Sequence, residues 1–138
     1  MVTMFTISRK FTFCYAHRLL HHTGKCARLH GHNGIVKIDL RKEQLNSQGM
    51  VADFTDIKNS IGEWIETTLD HRTLLAEHDP LVHAFREHGE PVLALPCEPT
   101  AENIAKLIFE QAEKFDLPVS AVSFWETEHC AAEYICTV

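Results

Sequence analysis

The hydrophobic pattern predicts two antiparallel strands in the first third of the chain. From Met4 to Tyr15 the apolar residues fall mainly on odd positions, and this period of two is typical of a half-buried strand. A second strand is predicted from Asn33 to Arg41, with its even-numbered apolar residues on one face. The segment between them contains glycine breakers and is predicted to be a connecting loop.

Two helices are predicted next. Apolar residues recur at helical spacing in Asp56–Leu69, where Asp53 or Thr55 is a candidate cap, and again in Pro99–Phe115. The intervening segment Asp70–Cys97 is predicted to be rich in loops, with a short helix at 80–88.

A C-terminal hairpin completes the pattern. Two short runs, Val119–Glu126 and Ala131–Val138, are separated by the polar segment Thr127–His129. The predicted order of elements is strand, strand, helix, helix, strand, strand. This order indicates an α+β fold in a single domain spanning residues 1–138.

Composition narrows the class of protein. The chain has 138 residues, 45% of them hydrophobic, which suits one domain with a real core. A net charge of −6 without any basic run argues against a nucleic-acid partner. No apolar stretch approaches the roughly 20 residues that a membrane helix needs, and the N-terminus does not resemble a signal peptide. We therefore expect a soluble, cytoplasmic protein that binds neither nucleic acid nor membrane.

Histidine is the residue type that most needs a chemical explanation. The chain has ten, and five of them lie within one window of 16 residues: His17, His21, His22, His30 and His32. His30 and His32 alternate by two, so an extended backbone projects both rings from one face, and His17 ends the preceding strand. Three imidazoles suit zinc and leave a fourth position open, as in catalytic sites. The alternative is a set of surface histidines, and we expect His21 and His22 to face solvent.

Three further positions carry candidate chemistry. Cys26 lies between basic neighbours that favour a thiolate, so it is a candidate base, a metal ligand or an ordinary loop residue. Asp70 and His71 form an adjacent carboxylate and imidazole, which suits proton transfer, although the dipeptide is common by chance. Glu126 ends an apolar run and could pair with two N–H donors of a heterocycle or simply face water. The other four cysteines are expected to be packing residues.

Six segments together resemble the 6-pyruvoyl-tetrahydropterin synthase and 6-carboxytetrahydropterin synthase family. They are "FTFCYAHRL", "CARLHGHNG", "MVADFTDIK", "LDHRTL", "EPTAENIA" and "WET", in the order found in the family. The short gap inside "CARLHGH" is similar to the 6-carboxytetrahydropterin synthase branch, which leads to queuosine. The chain departs from the family at Tyr15, where an alanine is common, and at Leu75 and Ala76, where an asparagine is usual.

The resemblance implies a fold and an assembly. The fold is the tunnelling fold, a four-stranded antiparallel sheet with two helices packed on one face. Trimerisation closes the barrel, and two trimers stack into a homohexamer with active sites between subunits.

The resemblance also implies residue roles and a reaction. His17, His30 and His32 match the zinc ligands, Cys26 the catalytic base, Asp70 and His71 the acid–base pair, and Glu126 the pterin anchor. The implied enzyme is a zinc-dependent lyase that converts 7,8-dihydroneopterin triphosphate to 6-carboxy-5,6,7,8-tetrahydropterin, acetaldehyde and triphosphate. Three alternatives are open: a 6-pyruvoyl product, a non-catalytic zinc protein in which Cys26 completes a closed site, and a pterin- or purine-binding module without turnover.

Overall fold

A six-stranded mixed sheet forms the framework of the computed structural model, which describes residues 1–137. The order across the sheet is β4-β3-β1-β2-β5-β6. The strands are β1 (Phe5–His17), β2 (His30–Lys42), β3 (Arg72–Ala76), β4 (Val92–Leu95), β5 (Val119–Thr127) and β6 (Cys130–Ile135). The pairs β1–β2, β2–β5 and β5–β6 are antiparallel, which confirms the predicted four-stranded antiparallel unit.

Two helical regions lie where the periodicity predicts them. The first begins as α1 (Phe54–Ile57), continues through a π-helical segment (Lys58–Gly62) and ends as α2 (Glu63–Thr68). Its cap is Asp53, whose side chain accepts a hydrogen bond from the amide of Thr55 at 2.8 Å. The second region is α4 (Ala101–Lys114), which is capped by Thr100.

The helices cover one face of the sheet, and the hydrophobic core lies between the helices and the sheet. On β2, Val36, Ile38 and Leu40 have no exposed surface, and they join a cluster that includes Ile57 and Ile61 from the first helical region and Ile104 and Ile108 from α4. The opposite face of β2 is polar, since the Asp39 carboxylate accepts a hydrogen bond from Ser8 at 2.6 Å and lies 3.8 Å from the Lys37 ammonium. The α+β prediction, with two helices on one sheet face, is confirmed.

The segment Asp70–Cys97 is more regular than predicted. It contains two strands, β3 and β4, besides the expected short helix α3 (Leu81–Glu87). Both strands run parallel to their neighbours, β3 with β1 and β4 with β3. The sequence did not predict β3 and β4, because they have only five and four residues and do not alternate. A buried parallel strand is apolar on both faces and therefore carries little periodic signal. The four-strand count was therefore wrong by two.

The remaining boundaries differ by a few residues. β2 begins at His30 rather than Asn33, so two of the candidate ligands lie inside a strand. The hairpin strand predicted to reach Val138 ends at Ile135, and Val138 itself lies outside the described residues. Within residues 1–137, the helices are too short or too polar to span a membrane.

Candidate active site

The pairing of β1 with β2 brings three histidines together. The antiparallel register places His17 directly opposite His30 and Tyr15 opposite His32, and alternation puts all four side chains on one sheet face. The ring centroids are 4.6 Å apart for His17–His30, 5.1 Å for His17–His32 and 5.0 Å for His30–His32. One ring nitrogen from each lies within 4.8 Å of the others, so the side chains that the sequence predicts as ligands do converge.

Backbone carbonyls orient two of these rings. Nδ1 of His17 lies 2.7 Å from the Pro99 carbonyl oxygen, and Nδ1 of His30 lies 2.6 Å from that of Arg28. A carbonyl oxygen only accepts hydrogen bonds, so each Nδ1 carries the proton and each Nε2 keeps its lone pair. Metal-binding histidines in proteins are held in this way.

The free nitrogens fit a metal ion. Nε2 of His17 and Nε2 of His32 are buried and have no hydrogen-bond partner among residues 1–137, and an unsatisfied buried nitrogen is costly. Burial lowers the pKa of His17 to about 4, although the hydrogen bond to Pro99 opposes the shift, and burial also lowers the pKa of His32. Both rings are therefore neutral at pH 7 and able to donate lone pairs to a cation.

Tyr15 forms one wall of the histidine cluster. Its ring centroid lies 5.1 Å from that of His17 and 5.6 Å from that of His32. Gly34 makes this packing possible, because a Cβ atom there would lie 2.7 Å from the Phe124 ring and 3.2 Å from Tyr15. Burial, together with the charge of Glu126, raises the pKa of Tyr15, so its hydroxyl stays protonated.

Glu126 lies at the edge of the same cluster. Its Oε1 is 4.0 Å from Nε2 of His17, and 25% of its side chain is exposed. The carboxylate therefore borders the histidines while remaining accessible to a ligand. Glu126 is the penultimate residue of β5, close to the strand end that the sequence predicts, and its role as the pterin anchor stays a prediction.

Asp70 and His71 form a second constellation, beside Cys14. The Asp70 carboxylate accepts a hydrogen bond from the backbone amide of Cys14 at 2.9 Å and lies 2.9 Å from Nδ1 of His71. Desolvation opposes ionisation of Asp70, but the bonds from Cys14 and His71 together hold its pKa below the usual value. His71 has a φ of 61°, which is uncommon for a non-glycine residue, and its side chain is 78% exposed.

A groove of about 420 Å³ has one residue of each constellation in its wall, His32 of the histidine cluster and His71 beside Asp70. Cys14, Asn33 and Arg72 also line it. A volume of this size matches that of small-molecule sites. The groove is broadly open to solvent, so one chain supplies a surface and not an enclosed cavity.

The structure differs from the predictions for the cysteines at several positions. Cys26 lies in a 3-10 turn (Lys25–Ala27) and is half-buried, and the structure does not group it with Asp70 and His71 in the described chain. The cysteine beside that pair is Cys14, predicted only as a packing residue, and its thiol donates a hydrogen bond to Asp70. Cys130 and Cys136 are exposed, so the packing prediction was wrong for them.

This fold and site define a class: an α+β protein with a cluster of three histidines that could hold a metal ion and a neighbouring Asp–His pair on a mixed sheet. Comparison with known proteins identifies the family. The family model for 6-pyruvoyl tetrahydropterin synthase matches residues 6–136, so the chain belongs to that family.

Individual relatives agree with this assignment. The chain is 31% identical to the 6-carboxy-5,6,7,8-tetrahydropterin synthase of Rickettsia typhi, covering 94% of this chain and 99% of the relative. It is 42% identical to the probable 6-carboxy-5,6,7,8-tetrahydropterin synthase of Halobacterium salinarum, covering 78% and 69%. The solved structure of Caenorhabditis elegans 6-pyruvoyl tetrahydropterin synthase has a TM-score of 0.74 at 26% identity, covering 99% of this chain and 98% of that one.

Proposed function

We propose that the protein is a zinc-dependent 6-carboxy-5,6,7,8-tetrahydropterin synthase. The observation that carries the proposal is the cluster of three histidines, each with a ring nitrogen within 4.8 Å of the others and two of them held neutral by burial, in a chain whose relatives have that name. The proposed substrate is 7,8-dihydroneopterin triphosphate, and the products are 6-carboxytetrahydropterin, acetaldehyde and triphosphate.

His17, His30 and His32 would hold the zinc ion. When bound there, zinc would supply Lewis acidity to the side-chain hydroxyls of the pterin. The carbonyls of Pro99 and Arg28 keep His17 and His30 in the required tautomer. Burial keeps His17 and His32 neutral and leaves the Nε2 atom of each without a hydrogen-bond partner among residues 1–137.

Of the remaining residues, one would bind the pterin and the others would transfer protons. Glu126 would accept two N–H bonds from the pterin edge, since its carboxylate lies beside the cluster and is accessible. Cys26 would remove the proton from the side-chain carbon next to the ring. His71, oriented by Asp70 at 2.9 Å, would return a proton at the other end of the reacting side chain.

The separation of these groups supports assembly into a hexamer with sites between subunits. His71 is largely exposed, and Cys26 is not clustered with it in one chain. A neighbouring subunit that brings its Cys26 to the groove would complete the proton-transfer set. Two trimers, each closing a barrel of antiparallel strands, would bury the polar sheet face of every chain.

The direct test is product analysis. Purified, zinc-loaded protein is incubated with 7,8-dihydroneopterin triphosphate, and the products are identified by mass spectrometry. The proposal predicts 6-carboxytetrahydropterin and stoichiometric acetaldehyde. Unchanged substrate under conditions where the zinc is bound would contradict it.

A second candidate is the 6-pyruvoyl tetrahydropterin synthase reaction. The name of the Caenorhabditis elegans structure favours it, because that protein covers nearly the whole chain at 26% identity. The same incubation separates the two reactions. A 6-pyruvoyl product without acetaldehyde would select this candidate.

A further inference from the structure

Three side chains outside the proposed active site converge on one point at the end of the sheet. They are His21 in the loop after β1, His78 in the loop after β3, and Glu98 just before α4. One potential ligand atom from each lies within 4.8 Å of the others. His21 and His78 stack with ring centroids 5.8 Å apart and an interplanar angle of 10°. His21 was expected only to face solvent.

The carboxylate of Glu98 is the feature that needs an explanation. Both of its oxygens are buried and lack a hydrogen-bond partner in residues 1–137, although 29% of the side chain is exposed. His78 lies beside them, with its Nε2 3.6 Å from Oε1, an ion-pair distance that is too long for a hydrogen bond. A buried carboxylate without a hydrogen bond is costly, and a cation held between it and the imidazoles would remove that cost.

The backbone around each side chain is already fixed. Leu19 donates its amide to the Cys26 carbonyl at 2.8 Å, which closes the loop that carries His21. The amide of Glu77 donates to the Leu95 carbonyl at 2.7 Å beside His78, and the Asn103 side chain donates to the Glu98 carbonyl at 2.9 Å. The three side chains are therefore held by three anchored segments. Binding a ligand would need little further ordering of the backbone, so the entropy cost of that ordering is small.

An ion pair joins two of these segments. Arg18 donates to the Asp79 carboxylate through Nε at 2.8 Å, and it also donates through Nη2. These residues lie near His21 and next to His78, respectively, so the pair holds the two histidine loops together. Arg18 also interacts electrostatically with Glu98, but its side chain donates its hydrogen bonds to Asp79, and the Glu98 oxygens have no donor among residues 1–137.

We propose that His21, His78 and Glu98 form a second binding site for a divalent transition-metal ion, separate from the His17, His30 and His32 cluster. Two imidazoles and one carboxylate suit Zn²⁺, Co²⁺ or Ni²⁺ and do not favour Mg²⁺. Tetrahedral zinc with bonds of about 2.1 Å needs donors about 3.4 Å apart. Rotation of the exposed imidazoles would have to bring the donors to that spacing.

The site ties the ends of β1 and β3 to the start of α4. Glu98 is followed directly by Pro99, whose carbonyl orients His17. A metal ion on Glu98 therefore stabilises the segment that supports the other cluster. The second site is accessible to solvent, so its ion exchanges faster than the ion at the buried histidines.

The test is metal stoichiometry of the full-length protein. Metal-stripped protein is dialysed to equilibrium against Zn²⁺, and bound zinc is measured by mass spectrometry of the metal. Wild-type protein should bind two ions per chain. His78→Ala and Glu98→Gln should each bind one at the same free zinc, with the dissociation constant of the lost ion raised at least about tenfold.

His83→Ala is the matched control. His83 is also exposed, and its imidazole pairs with the Glu87 carboxylate at 3.0 Å. It should bind two ions, and the ion retained by His78→Ala shows that this variant is folded. One ion per wild-type chain, or two in both His78→Ala and Glu98→Gln, would overturn the proposal. The proposed function is tested separately by the pterin product, so either conclusion can fail without the other.

Discussion

The histidine cluster and the Asp70–His71 pair border one groove but are built in opposite ways. His17 is 1% exposed, its ring is oriented by a carbonyl, and the cluster's partners all lie within the same chain. The side chain of His71 is 78% exposed and pairs with the Asp70 carboxylate. The cluster depends on strand register, whereas the pair depends on a turn in which His71 adopts a positive φ.

This difference suits different proposed roles, metal binding for the cluster and proton transfer for the pair. A metal site must be neutral, buried and rigid before the ion arrives. An acid–base group must meet both substrate and solvent, so it lies at an open edge. The cluster is complete in one chain, and we infer that the pair is completed by a neighbour.

The largest expected effect comes from the buried cluster. His30→Ala removes one of three nitrogen ligands, so zinc content should fall at least about a hundredfold at limiting free metal, with turnover lost in parallel. Metal analysis and product assay measure both. His129→Ala, which removes an exposed histidine paired with Glu128 at 3.2 Å, is the control and should change neither. Full zinc in His30→Ala would remove His30 from the ligand set.

The next effect separates the two candidate cysteines. Cys26→Ala should keep its zinc and lose at least about two orders of magnitude in turnover, the usual scale for a missing acid–base group. Cys14→Ala should have a much smaller effect, because the Cys14 backbone amide still donates to Asp70. Turnover measured at saturating zinc decides between them. The reverse pattern would move the base from Cys26 to Cys14.

Subunit mixing tests whether the exposed pair works across an interface. His71→Asn preserves the left-handed backbone, which asparagine tolerates, and removes the proton-transfer group. Cys26→Ala and His71→Asn should each be nearly inactive alone. Random mixing of the two should restore about a quarter of the sites when Cys26 and His71 come from adjacent subunits. No recovery after verified subunit exchange would place both groups in one chain.

Glu126→Gln should weaken substrate binding without releasing the metal. A hydrogen bond to a charged group contributes about 1.5–3 kcal/mol, so KM should rise roughly 10- to 100-fold. Steady-state kinetics and metal analysis measure the two quantities together. Glu128→Gln, in the exposed hairpin turn, serves as the control. Loss of zinc in Glu126→Gln would show that this carboxylate supports the metal rather than the pterin.

The smallest effect on turnover is expected at the Arg18–Asp79 pair, which joins the two loops that carry His21 and His78. The hydrogen bond from Arg18 holds the pKa of Asp79 below its ordinary 3.8. The stabilisation is therefore present above that value and is lost as pH falls through the lower folded-state pKa. Asp79→Asn should lower the free energy of unfolding by about 2 kcal/mol at pH 7. Denaturant unfolding should show this gap narrowing toward pH 3, and a gap independent of pH would contradict the assignment.

The sequence could predict those parts of the molecule whose signal is local. Alternation in β1 and β2 was sufficient to place His17, His30 and His32 on one face, because strand geometry converts spacing directly into direction. It was not sufficient for β3 and β4, which are short and apolar on both sides. The contact of Cys14 with Asp70 joins residues 56 positions apart, and only the parallel pairing of β3 with β1 brings them together.

The sequence did not predict, for the same reason, that His21, His78 and Glu98 lie close together. Each comes from a different loop, and no periodic pattern relates one loop to another. The one sequence signal was the excess of histidine itself, ten in 138 residues, of which the proposed active site uses four. A surplus of ligating residues is therefore a reason to examine where the loops converge.

The hydrogen bond from His17 to the Pro99 carbonyl has a thermodynamic consequence. Pro99 immediately precedes the cap of α4, so the hydrogen bond that favours the Nδ1-protonated tautomer of His17 requires the start of that helix to be docked. By linkage, a metal ion that selects this tautomer also favours the docked helix. Metal loading and local unfolding of the first turn of α4 are therefore opposing equilibria, and the apoprotein should exchange the amide hydrogens of that turn faster than the loaded protein.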